Sequence, residues 1–311
     1  GVDSVLNVRV KECAPFENVY TLALRGLHDR AMNASNDMGD RKDMLQEALM
    51  AQRQMLIDAI GKPGEEIPQA FTPYKEVLDV YDEGLELPDD VTIIWPDDNY
   101  GYMKRLSSPK EQKRSGRSGV YYHSSYLGKP HDHLWMNTVS PTLMYEELRK
   151  AYDATADRIW LLNAGDIKSC EFAVDYFLTM AFDIDAFNFE RAANYRTEWL
   201  CGMLGDQYRN EYQDVVNSFY KLAFARKPEF MGWGYQWTTD KHGRERNTDT
   251  DFSLTNYREV DNRLSEYRRI GGIVENILNN MSDEKQKACF YQSLYCLLYT
   301  SDAADERSSV D

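Results

Sequence analysis

VTIIWPDDNYGY (residues 91–102) joins a β-branched and aromatic apolar run to two carboxylates, an amide and two tyrosines. The near-continuous apolar half predicts a strand buried on both faces, as in a parallel sheet, because a half-exposed strand would alternate. The polar half falls at the strand's C-terminal end, where parallel α/β sheets carry their chemistry. Asp97, Asp98 and Asn99 are too many polar groups for a turn, which one Asp or Asn would serve.

The same arrangement recurs on both sides of this stretch. VYTLALR (19–25), closed by Gly26, leads to Arg25 and Asp29. A short strand over 69–72 leads to Tyr74 and Glu76, GVYYH (119–123) to His123 and Tyr126, and RIWLLNA (158–164) to Asn163 and Asp166. Helical spacing separates the strands over 41–60, with Leu45, Leu49, Leu56 and Ile60 on one face, and again over 75–81 and 142–152. The fold class read from this alternation is α/β: the last five strands or so of a (β/α)8 TIM-type barrel over residues 1–185. Five strands cannot close eight, so about three more are expected upstream. From Cys170 onward no strand pattern is visible. Residues 186–295 are expected to form a helical domain, with Val260, Leu264, Tyr267 and Ile270 on one helix face and a long irregular loop over 232–251.

Residues 296–306 (CLLYTSDAADE) back-translate to a transposase-type sequencing adapter, so residues 296–311 are read as a non-native tail and set apart. On that reading the chain is a fragment and is expected to be inactive by itself.

A formal charge of −15 argues against nucleic acid or an anionic membrane as partner. No run approaches the ~20 apolar residues of a membrane span. The five cysteines, Cys13, Cys170, Cys201, Cys289 and Cys296, show neither CxxC nor zinc-like spacing, so no structural metal is expected. No GxGxxG or Walker-type loop is present, and no cofactor is expected. The 21 Tyr and 6 Trp suit a carbohydrate site, although most will be core.

Asp29, Glu76, Asp97, Asp98 and Asp166 all fall at strand ends and are candidates for an acid/base pair, while each alone is as well read as a helix cap. Glu76 follows Phe71 and Tyr74, surroundings that would desolvate a carboxyl and raise its pKa. Arg25 is either a clamp for a substrate carboxylate or a capping residue. His123 is a base, a core residue or, with His131, His133 and Asp97, a metal ligand, although no HExxH-like spacing supports a metal. SSPKEQKRSGRSG (107–119) is a solvated connection or a basic lid.

LRGLHD (24–29), YKEVLDVYD (74–82), WPDDNYGY (95–102), GVYYHSSYLGKPHDHLWMNT (119–138) and IWLLNAGDIKSCE (159–171), in this order, resemble glycoside hydrolase family 115, the xylan α-1,2-glucuronidases. The resemblance implies a (β/α)8 barrel followed by helices, and inverting removal of glucuronic or 4-O-methyl-glucuronic acid from glucuronoxylan or aldouronic acids. It implies Glu76 as general acid and Asp29 as the base, with Asp97 as runner-up for either role. The pair would stand about 6.5–9.5 Å apart. Arg25, Tyr74, Asn99, His123, Tyr126 and Asn163 would surround the uronic acid. The parent enzyme would be extracellular or periplasmic and could form a homodimer. Two departures, Ala164 and Ser169-Cys170, leave the chemistry unaffected. The rival readings are a non-catalytic carbohydrate-binding barrel and a metal-dependent barrel hydrolase centred on His123.

Overall fold

The computed structural model describes residues 2–26, 31–32, 37–128, 133–168, 170–231, 238–239, 245–246 and 250–298. In chain order the sheet-forming part runs α1 (Val2–Cys13), β1 (Tyr20–Thr21), α2 (Met38–Ile60), β2 (Gln69–Phe71), α3 (Glu76–Asp82), β3 (Thr92–Pro96), β4 (Ser118–His123), α4 (Pro141–Asp153) and β5 (Ala156–Asn163). The five strands pair in sequence order as a parallel half-barrel. Tyr20 stands opposite Gln69, Ala70 opposite Thr92, and Ile93 opposite Ser118. Then follow α5 (Glu171–Phe182), α6 (Phe189–Leu204), α7 (Arg209–Ala225), β6 (Thr238–Thr239), β7 (Glu245–Arg246), α8 (Glu259–Asn280) and α9 (Glu284–Phe290), which continues in a wider turn over Tyr291–Tyr295.

Helix α2 starts three residues earlier than its apolar spacing predicts, because the Asp37 side chain accepts from Asp40 N–H at 3.1 Å. A cap of this kind contributes about 1 kcal/mol. Gly61, at φ 73°, ends the helix in the left-handed conformation that glycine adopts without cost. Strand β1 is far shorter than residues 19–25. Leu22 N–H still reaches Ala70 O at 2.8 Å, but the next acceptor along β2, Thr72 O, is taken by Tyr74 N–H at 2.9 Å across Pro73. The outward edge of β1 is occupied too: the Gln52 amide accepts from Ala23 N–H at 3.0 Å and donates to Ala23 O at 2.8 Å. Contrary to the sequence reading, a strand pair does exist beyond Cys170. β6 and β7 form an antiparallel two-residue ladder, too short for any alternation to show.

Two compact units emerge from Cα proximity. The first comprises residues 1–98, 103–122 and 148–161; the second comprises 99–102, 123–147 and 162–311. Leu22, Leu45, Leu49, Leu56, Phe71, Val77, Val80 and Val91 form the main core of the first, beside a smaller group of Leu78, Ile93 and Trp95. The core of the second is helical, built from Leu200, Val215, Phe219, Tyr267, Ile270, Val274 and Phe290 with Met136. Leu297 and Leu298 are also buried in it, while 299–311, the rest of the segment set apart above, lie outside the described residues.

The basic loop before β4 is neither loosely solvated nor free to act as a lid. Arg105 stacks over Tyr81 and Trp95 at 5.0 and 4.6 Å and donates to Glu111 at 2.8 Å. Arg114 donates to the carbonyls of Pro88 and Val91, and Arg117 pairs with Asp157. Among the described residues no helix is long and apolar enough to cross a membrane.

Candidate functional site

Within the first unit, Arg25, Tyr74, Glu76 and Asp97 sit just past the ends of β1, β2 and β3. The Arg25 guanidinium grips Glu76 with two parallel hydrogen bonds, Nε to Oε1 at 3.1 Å and Nη2 to Oε2 at 3.2 Å. Both oxygens accepting from one guanidinium is the bidentate fork that fixes the relative orientation of an Arg–carboxylate pair. The side chains are only 21% and 24% exposed, so water screens the pair weakly. Sequence reasoning had expected a carboxyl desolvated by Phe71 and Tyr74, and an Arg25 turned to substrate. What the structure adds is the bond between the two.

Tyr74 lies under both cations: Arg25 is 5.4 Å and Lys75 5.0 Å from its ring centroid, and Tyr121 meets it edge-on at 5.7 Å. Lys75 has φ 51° and ψ −122°, a backbone state that costs a side-chain-bearing residue about 1–3 kcal/mol. It is also why α3 begins at Glu76 rather than at 75. The strained peptide sits directly between the tyrosine and the carboxylate, so their relative placement is set by backbone. Asp97 is 2% exposed, and its N–H donates to Tyr121 O at 3.1 Å.

Within the second unit, Asn99 and Gly101 both have positive φ, 75° and 98°, and the tight turn they make carries Tyr100. The Tyr100 ring meets Tyr126 at 5.9 Å and Phe230 at 5.3 Å, and Tyr126 in turn meets the buried His123 edge-on at 5.8 Å. Gly128 lies flat against Tyr126: a Cβ there would stand 2.2 Å from the ring. The carbonyl of Asn163 accepts from Ser124 N–H at 3.0 Å, tying the end of β5 to the residue after β4. Phe230 escaped sequence reasoning because it follows α7, where no strand end marks it. The aromatic triplet and a neighbouring amide can pack a sugar ring and hydrogen-bond its hydroxyls.

Asp29, the expected partner of Glu76, lies outside the described residues, as does His131 of the metal alternative. Among the described residues no three of His, Cys, Asp and Glu gather as a metal site would require. His133 lies edge-on to Trp135 at 5.5 Å.

The sequence model of glycosyl hydrolase family 115 matches residues 1–230. Among solved structures, the family 115 4-O-methyl-α-glucuronidase BtGH115A, described as having specificity for decorated arabinogalactans, is 36% identical with a TM-score of 0.87. The match covers 97% of this chain and 39% of that one, so the chain spans about two fifths of the length of that relative. No curated protein matches. On the family match and the likeness of fold together, the chain belongs to glycosyl hydrolase family 115.

Proposed function

We propose that the protein takes part in hydrolysing α-1,2-linked glucuronic or 4-O-methyl-glucuronic acid from a decorated polysaccharide, with inversion. The observation that carries this reading is the Arg25–Glu76 pair at the strand ends, in a chain 36% identical to a 4-O-methyl-α-glucuronidase. The Glu76 carboxylate and that of an arriving uronic acid would compete for Arg25. A uronate that draws the guanidinium away loosens the fork on Glu76 and frees its carboxyl oxygens to face the leaving group. Asp29 is proposed as the water-directing base and Asp97 as the alternative. Tyr74 supports the Arg25 face, while Asn99, His123, Tyr126 and Asn163 are proposed sugar contacts.

Xylan is the backbone implied by the sequence resemblance. The relative's stated preference favours a second reading, decorated arabinogalactan, and one assay separates them. Uronic acid release is measured from glucuronoxylan, aldouronic acids and arabinogalactan, using both the 311-residue chain and the full-length product of its gene. The short chain is expected to be inactive. Glu76→Gln in the active form should lower release by roughly a thousandfold or more, the scale of a lost general acid with its positioning. Release within tenfold of wild type would remove Glu76 from the mechanism.

A further inference from the structure

A cavity of about 610 Å³ in the second unit is lined by none of the residues assigned under the proposed function, although Asp166, one of the acid/base candidates of the sequence, stands in its wall beside Cys296 and Leu297 of the segment set apart above. Its wall contains Arg196, which is only 4% exposed. The guanidinium is enclosed by the rings of Phe172, Phe219 and Tyr220 at 5.1, 5.8 and 5.3 Å. Among the described residues it has no carboxylate partner: it donates to the Tyr220 hydroxyl at 2.6 Å and, at 3.5 Å, to Ser293 O, and its Nε–H meets no acceptor. Five N–H donors on a buried cation, with two acceptors found, leave charge and hydrogen bonds unmet. Aromatic faces offset part of that cost and supply no lone pairs.

The other charges around the cavity do not answer this one. Lys168 and Glu171 pair with each other at 3.2 Å, and both, like Asp166, are exposed, where solvent screens them. The remaining wall has residue types suited to a sugar: Trp135 and the half-buried Trp199, with Asn137 and Gln292, line the cavity. We propose that this cavity is a second, non-catalytic binding site for a free hexuronate, its carboxylate on Arg196 and its pyranose ring against Trp135. A monosaccharide of that size fits the volume, and a bidentate carboxylate would complete the guanidinium.

Isothermal titration of the 311-residue chain with sodium D-glucuronate, D-glucose and sodium acetate tests the assignment. Glucuronate should bind about tenfold or more tightly than either the neutral ring or the bare carboxylate. Trp135→Ala and Gln292→Ala should each weaken glucuronate at least severalfold, and Arg196→Gln should reduce it to the affinity for glucose. If Arg196→Gln does not fold, as judged by circular dichroism, the other two variants decide. The double variant Glu76→Gln/Asn99→Ala should leave this binding intact. Equal affinity for glucose, no binding, indifference to Trp135→Ala and Gln292→Ala, or loss of binding in the double variant would each overturn the proposal. Catalysis is measured separately, so none of these results bears on the Glu76 assignment.

Discussion

Glu76 is bound at both oxygens by a cation, yet the proposed chemistry asks the same group to carry a proton. Arg25 is therefore as informative a position to change as Glu76. Arg25→Met would leave a partly buried carboxylate without its two charge-assisted hydrogen bonds, and stability should fall by about 1–3 kcal/mol in urea titration. Arg25→Lys keeps the charge but not the fork, and should recover less than half of that loss. Full recovery with Lys would mean that charge alone, not the paired geometry, holds Glu76. The sequence pointed to both residues, because each follows an apolar run that reads as a strand. Their bond crosses 51 positions and left no trace in spacing. Lys75 was invisible for a different reason: its strained φ belongs to the backbone, and a lysine says nothing about torsion.

At the level of elements, the strands from β2 to β5 were legible within a few residues: burial on both faces gives β3 and β4 their apolar runs, whereas β5 carries one although Ala156 alone in it is buried. β1 was not, because what shortens it is Tyr74 competing for an acceptor on its neighbour. Loop 107–119 was misread for a related reason: composition reports its charges but not their partners. Glu111 is the centre of that loop, accepting from Tyr81, Arg105 and Ser108. Burial pushes its pKa up, and the hydrogen bonds from Ser108 and Tyr81 and the charge of Arg105 more than offset this, so it lies below the ordinary 4.5. A carboxyl depressed in the folded state adds stability above its unfolded value and loses it as pH falls through the folded one. Wild type should therefore lose stability as pH drops below 4.5, more steeply than Glu111→Gln, while at pH 7 the variant should be less stable by about 1–2 kcal/mol. Parallel Tm–pH curves for the two proteins would contradict this. Gly119 tests the packing of β4 on β5. A Cβ there would stand 2.1 Å from Ile159 O, so Gly119→Ala forces backbone apart and should cost about 3 kcal/mol or more. A loss under 1 kcal/mol by denaturant titration would mean that the strands separate easily.

For the whole molecule, the charge of −15 at neutral pH sets behaviour that no single site determines. The chain should pass unretained through heparin or DNA matrices at pH 7 and low salt, and be least soluble near pH 4.9. Retention on heparin would reveal a local basic surface that the total conceals. The membership of the two compact units was not legible, because each draws alternating pieces of chain and through-space packing leaves no linear mark. β1 stands at the margin of the five-stranded sheet, an edge of the kind onto which other chains add. The Gln52 side chain has already closed the donor and acceptor of Ala23 there. One glutamine thus acts as a counterfeit strand, and a stray polypeptide approaching this rim would find that rung taken.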